Sequence, residues 1–300
     1  MLPITEQENP NTAAIDKAST LDALRLINDE DKIIASAIEK VLPEIAEATD
    51  AIVERLRNDG RLFYIGTGTS GRLGVLDASE IPPTYGVSYD LVQGIIAGGY
   101  DALHKATEAS EDNAEAGIDD LKARGLTPKD AVVGIAASGR TPYTIGAVEY
   151  AKTLGCFTAA IVCNPESAIT KAVDVAIVPV VGPEAITGST RMKAGTAQKL
   201  ILNMMSTVAM IRLGYVHGNR MTNMKSSNLK LKDRGLRILM AETGLEELAA
   251  TDLLTKADGD LRVALVMHGS HANRGDAENA LSDAAFVVDA AVAKIKDSSL

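Results

Sequence analysis

Leu62-Phe63-Tyr64-Ile65-Gly66-Thr67-Gly68-Thr69-Ser70-Gly71-Arg72 reads as a short buried strand that turns, through small and hydroxyl residues, straight into a helix. Its apolar run, Leu62–Ile65, lacks the alternation of a half-exposed strand and so belongs in a sheet covered on both faces. A second stretch repeats the arrangement: Val132–Ala136 is followed by Ala137-Ser138-Gly139-Arg140-Thr141-Pro142. Each loop gathers backbone N–H groups, hydroxyls and an arginine at a helix N-terminus, where the dipole favours an anion such as a phosphate. Taken singly, each is equally an ordinary tight turn, because Gly and Ser are turn residues.

Working outward, further apolar runs at Leu91–Ala97, Ala131–Ala137, Phe157–Val162 and Val175–Val180 make five strands with the first. Helical stretches near 71–80, 101–124, 142–154 and 166–172 alternate with them. The alternation predicts an α/β fold, a five-stranded parallel sheet with helices on both faces. In the flavodoxin-like order 2-1-3-4-5, the loops after strands one and three flank the point where the winding reverses, and both open on one crevice. That convergence favours a ligand site over two unrelated turns. A helix over about 190–213 carries Ala194, Ala197, Leu200, Ile201, Met204, Met205, Val208 and Ile211, a wide apolar face for a core or a subunit interface.

Residues 1–53 form an N-terminal helical arm, in which Ser19-Thr20-Leu21-Asp22 resembles a capping box without its Glu and Pro43 marks a break. Residues 54–217 form the sheet domain, and 218–300 a linker with a small helical bundle. The linker or lid is the polar run Thr222–Asn228; short helices are expected near 229–241, 245–254 and 259–267, with one more at the end.

A chain of 300 residues with 46% hydrophobic content buries a proper core. Its net charge of −10 argues against nucleic acid or an anionic membrane as partner, so any anionic ligand is small and locally held. Aromatics at 3%, with no Trp, leave little for base stacking. Two cysteines, Cys156 and Cys163, with neither a leader pattern nor an apolar run of membrane length, point to a reducing cytoplasm and no disulfide. The histidines His104, His217, His268 and His271 match no metal spacing, and no metal is expected.

Gly66, Gly68 and Gly71 formally match the dinucleotide pattern GxGxxG, but that fold wants an acid at the end of its second strand. Here the strand ends Ile96-Ala97-Gly98-Gly99, so a nicotinamide or flavin cofactor is not expected. Thr141 and Pro142 suit the N-cap and first position of the helix after the second loop. Arg72 and Arg140 are candidates to grip a phosphate, or else surface arginines. A third cluster, Thr187-Gly188-Ser189-Thr190-Arg191-Met192-Lys193, offers a further helix N-terminus to the ligand, or a simple cap.

Together these segments, with Leu76-Asp77-Ala78-Ser79-Glu80, Pro82-Pro83-Thr84-Tyr85-Gly86 and Ala194-Gly195-Thr196-Ala197-Gln198-Lys199, resemble the sugar isomerase family of phosphosugar-binding domains. Within it the likeness is to the bacterial N-acetylmuramic acid 6-phosphate etherases, over roughly residues 5–235. The resemblance implies cleavage of the D-lactyl ether of N-acetylmuramate 6-phosphate without a cofactor. It assigns two carboxylates: Glu80 as proton donor, and Glu111, in Ala109-Ser110-Glu111-Asp112, as base. Spacing alone would not choose Glu111 among Glu108, Asp112 and Glu115. The sugar phosphate is expected on Thr67, Thr69, Ser70, Gly71, Arg72, Ser138, Gly139, Arg140, Thr141, Ser189 and Lys193.

A helix over 71–80 sets Glu80 about 15 Å along the axis from the first loop, whereas the sugar's C3 lies at most about 7 Å from phosphorus. This mismatch predicts a homodimer in which one subunit's Glu80 serves its partner's phosphate site. The alternatives are an aldose–ketose isomerase, which also begins with proton removal beside a carbonyl, and a non-catalytic phosphosugar sensor.

Overall fold

The computed structural model describes residues 2–105, 111–223 and 229–298; Glu108 and most of the expected linker, 224–228, lie outside them. The chain falls into two compact units, residues 1–80 with 89–206, and residues 81–88 with 207–300.

In the first unit, β1 (Leu62–Gly66), β2 (Val92–Ile96), β3 (Ala131–Ile135), β4 (Phe157–Ile161) and β5 (Val175–Ile177) form one sheet in the order β2-β1-β3-β4-β5. Every pairing is parallel. Residues of β1, β3 and β4 are buried on both faces, which explains their unbroken apolar runs. Gly66 pairs with Ile135 on one side and Ile96 on the other, so β1 and β3 end level and their loops leave the sheet side by side.

The arm begins with 3-10 turns and continues as α1 (Thr20–Asp31), α2 (Ile33–Glu39) and α3 (Leu42–Arg57). Ser19 caps α1: its hydroxyl accepts the Asp22 N–H and donates to the Asp22 carboxylate. Pro43 stands at the start of α3, where its missing N–H costs nothing. The turns before α1 lie across the sheet's carboxyl end. Ile4 N–H donates to Asn164 Oδ1 at 3.0 Å, Asn9 Nδ2 to the Pro183 carbonyl at 3.1 Å, and Thr12 Oγ1 to the Ala185 carbonyl at 2.8 Å.

Between strands run α4 (Gly68–Tyr85), α5 (Ala114–Ala123), α6 (Pro142–Thr153) and α7 (Ala168–Ala172), followed by α8 (Lys193–Arg212). Two helices depart from expectation. α4 is longer at both ends, running through Pro82 and Pro83. The stretch 101–124 is not one helix: a 3-10 turn covers Tyr100–Leu103, and Asn113 starts α5 by accepting the Ala116 N–H on its side chain.

The second unit contains a two-stranded antiparallel ribbon, Val216–His217 with Arg220–Met221, and α9 (Leu229–Thr243), α10 (Glu247–Lys256), α11 (Leu261–Ser270), α12 (Arg274–Asp283) and α13 (Val288–Ser298). The tail thus has one helix more than its periodicity predicts. Ala285 and Phe286, both at positive φ, separate α12 from α13, a reversal that no Gly or Pro announces. Leu239, Ala264, Val266, Ala277 and Ala291 are central to its core.

Candidate active site

The first loop is built on glycines that cannot carry a side chain. A Cβ on Gly66 would stand 2.7 Å from the Ile135 carbonyl oxygen, and one on Gly71 2.6 Å from the Gly66 oxygen. Gly68 adopts φ +49°, a conformation costly to other residues. The Thr67 carbonyl accepts the Gly71 N–H at 3.0 Å, which closes the turn. Thr67 and Thr69 are half-buried, with the Thr69 methyl turned toward Gly195 of α8. Ser70 is buried, and its hydroxyl donates to Gln198 Oε1 at 2.9 Å. Arg72 directs its guanidinium at the carbonyls of Leu103 and Ala102, at 3.0 and 2.6 Å, and so ties down the chain beyond β2.

The second loop lies beside the first. Ser138 is half-buried and accepts the Arg140 N–H at 3.3 Å, while the Arg140 side chain is exposed. Gly139 has φ +66°, and a Cβ there would meet Ser167 Oγ at 2.1 Å. Ser167 is buried and its hydroxyl has no partner among the described residues. Thr141 sits at the N-cap of α6 with Pro142 behind it, but its side chain makes no capping bond. The first amides of α6 therefore look for another acceptor.

One of them finds Glu111. The Glu111 carbonyl accepts the Tyr143 N–H at 3.1 Å, and the Glu111 carboxylate reaches the first loop, its Oε1 3.4 Å from where a Cβ on Gly68 would stand. One residue thereby joins its backbone to the start of α6 and brings its carboxylate up to the first loop. Glu80 lies elsewhere: it is exposed on α4, twelve residues beyond Gly68 and five before the helix ends, or about 18 Å from the loop at helical rise.

The third cluster departs from its reading as a ligand-binding helix end. The N-terminus of α8 already holds an anion, because Glu184 accepts the Lys193 and Ala194 N–H groups, each at 2.9 Å. Glu184 is 1% exposed, and burial pushes its carboxyl above the ordinary value against the pull of those amides. Lys193 is also 1% exposed and its ammonium pairs with Glu30 of the arm. Burial alone would raise Glu30, but bonds from Lys193, Asn11 and Asn9 hold it below its ordinary value. A buried lysine needs a counter-charge, and the arm supplies it. Ser189 is half-buried in the turn ahead of α8, its N–H on the Ile186 carbonyl. Glu30 carries no local signal of its role, since Lys193 is 163 residues away, and Glu184 reaches the α8 amides nine and ten residues on only because the turn between them folds back.

Among the described residues no group of three or more His, Cys, Asp or Glu is placed to hold a metal, and no helix is long and apolar enough to cross a membrane.

Residues 44–152 match the family model of the glucokinase regulatory protein N-terminal SIS domain. The chain is 57% identical to the N-acetylmuramic acid 6-phosphate etherase of Symbiobacterium thermophilum, over 88% of this chain and 87% of the relative. It is 52% identical to that of Clostridium beijerinckii, over 91% and 90%, and 55% identical to that of Cronobacter sakazakii, over 88% and 89%. Identity at this level, spread over nearly the whole of both chains, places the protein in the N-acetylmuramic acid 6-phosphate etherase family.

Proposed function

We propose that the protein cleaves the D-lactyl ether of N-acetylmuramate 6-phosphate to N-acetylglucosamine 6-phosphate and D-lactate, acting as a carbon–oxygen lyase. The relatives' name carries the substrate class. Within the fold, the observation that carries the chemistry is Glu111, whose carbonyl is bonded at the start of α6 and whose carboxylate lies against Gly68. A sugar phosphate held by the two loops would have its carbon chain beside that carboxylate.

The open-chain sugar has an aldehyde at C1, which acidifies the proton on C2. Glu111 takes that proton. The electron pair forms the C2=C3 double bond, the C3–O bond breaks, and Glu80 gives its proton to the departing lactyl oxygen. Water then adds across the double bond, its hydroxyl to C3 and a proton to C2, with Glu80 and Glu111 in reversed roles. Each proton transfer contributes typically 10²–10⁴-fold. Phosphate binding falls to the loops' free amides with Thr67, Thr69, Ser138 and Thr141, and Arg140 at the rim, while Gly71 and Gly139, whose N–H groups close the turns, shape the loops. Ser70 and Arg72 support the first loop through the contacts given above, and Lys193 ties the arm to the start of α8.

A phosphate-to-C3 span of about 7 Å cannot bridge about 18 Å of helix. We therefore assign Glu80 to the site of a second copy in a homodimer. Leu76, one turn before it, is 52% exposed, an apolar residue on the open face that such a copy would cover. Two buried free thiols, Cys156 and Cys163, suit a reducing compartment such as the cytoplasm.

Lactate release and deuterium incorporation at C2, followed by NMR in heavy water, test the assignment. Glu80→Gln is expected to lose lactate release but keep exchange, and Glu111→Gln to lose both. Exchange lost in the first and kept in the second would reverse the roles; full activity in either would remove that residue from the mechanism.

A further inference from the structure

Three residues before Glu80, Asp77 is a buried carboxylate that the proton transfers do not use. It is 5% exposed, and its Oδ1 accepts Asn203 Nδ2 at 2.6 Å and Ser206 Oγ at 3.2 Å, both from α8. Oδ2 is buried with no partner among the described residues. Tyr64 of β1, fully buried, has its phenol pushed up by burial and by the Asp77 charge. Burial also holds Asp77 above its ordinary value, against the pull of Asn203 and Ser206.

Burying a carboxylate is costly before its bonds are counted, and an apolar residue would pack two helices with less penalty. What the carboxylate adds is direction. Ser70, seven residues earlier on α4, makes the other polar bond to α8, through Gln198. Residues seven apart lie on one helix stripe to within about 20°, so Ser70 and Asp77 pin that stripe to α8 at two heights. Apolar contacts tolerate a small rotation of a helix about its axis; two hydrogen-bonded anchors do not.

Glu80 depends on that rotation. A carboxylate carried about 6 Å from the helix axis moves roughly 2 Å when the helix turns by 20°. Misplacement by about 1 Å can cost on the order of 10²-fold in rate.

We propose that Asp77 is a positioning residue for the proton donor: by bonding Asn203 and Ser206 it fixes the rotation of α4 and with it the direction in which Glu80 presents its proton. The proposal rests on the reading of Glu80 as the acid. It separates Asp77 from the first chemical step: without Asp77, Ser70 still holds the loop end of α4 on Gln198, so the freed rotation falls on the part of the helix that carries Glu80 and leaves in place Glu111 and the phosphate loops, on which C2 exchange depends.

The experiment measures kcat and KM for lactate release, and C2 deuterium exchange, in Asp77→Ala, Asp77→Asn and Asn203→Ala beside Glu80→Gln. Asp77→Ala and Asn203→Ala should lose at least about tenfold in the kcat of lactate release, with KM and exchange within about twofold of wild type. Asp77→Asn, whose amide oxygen can still accept from Asn203 and Ser206, should recover part of that loss. If Asp77→Ala does not fold, Asn203→Ala carries the test from the α8 side. Exchange falling in step with lactate release, or an effect confined to KM, would make Asp77 a general structural residue and overturn the proposal. So would wild-type release in both alanine variants while Glu80→Gln is inactive. Full release by Glu80→Gln would instead overturn the reading of Glu80, and the proposal with it.

Discussion

Glu111 and Gly68, 43 residues apart, meet at the carboxyl end of the sheet, with Glu111 Oε1 3.4 Å from the position a Cβ of Gly68 would take. Gly68 also has φ +49°, so alanine there combines backbone strain of about 1–2 kcal/mol with a methyl group against the carboxylate. Gly68→Ala is expected to slow C2 exchange and lactate release together, by roughly tenfold or more. NMR exchange beside a lactate assay checks this, and unaltered exchange would place the base away from the first loop.

Gly139 and Ser167 give a steric prediction. A methyl on Gly139 would stand 2.1 Å from Ser167 Oγ and 2.5 Å from Ser167 Cβ, in backbone already at φ +66°. Gly139→Ala should lower Tm by roughly 5–10 °C and raise KM for the sugar phosphate. Adding Ser167→Gly removes the two nearest obstructing atoms and should recover about half of the Tm loss, leaving the conformational part and a 3.2 Å contact with Ile169 Cγ2. No recovery would show that the strain is relieved elsewhere.

Subunit mixing tests the position of Glu80. Glu80→Gln and a Ser138→Leu loop variant are each expected to be inactive alone. A hybrid dimer has one site with intact loops and an intact Glu80, so exchange of subunits should restore up to about a quarter of wild-type activity on random mixing. Demonstrated hybrids without activity would put the acid in its own subunit's site.

Asp130 anchors the amino end of the sheet and gives the pH prediction. Its carboxylate accepts the Thr127 N–H at 2.7 Å, the Arg61 N–H at 2.8 Å and Arg61 Nη2 at 2.8 Å. Burial alone would raise it, but Arg61 and the two amides outweigh burial and hold it below its ordinary 3.8. A carboxyl depressed in the fold stabilises above its unfolded pKa and loses that contribution as pH falls through the folded one. Asp130→Asn should therefore cost about 1–3 kcal/mol at pH 7, and the difference should close as pH falls below 3.8. Urea unfolding across that range is the check; a gap unchanged at low pH would mean that packing, not charge, is lost.

The reach of the sequence follows the range of the interactions. Strands buried on both faces, the break before Pro43, the Ser19 cap and the two Gly-Ser loops are written in residues within a few positions of one another, and they determine the parallel sheet and its paired loops. The order of the strands follows because right-handed crossovers leave few alternatives. Helix ends were less legible: α4 continues through Pro82 and Pro83, and the acidic stretch before α5 breaks where Asn113 caps it. Only the tertiary structure decided which acid faces Gly68, that Glu184 occupies the α8 N-terminus, that Lys193 answers Glu30, and that Asp77 is bonded to α8. All but the Glu184 contact, which spans nine and ten residues, join positions far apart in sequence, and for a buried charge the partner that lowers its cost is set by where the chain returns in space, which no local pattern encodes.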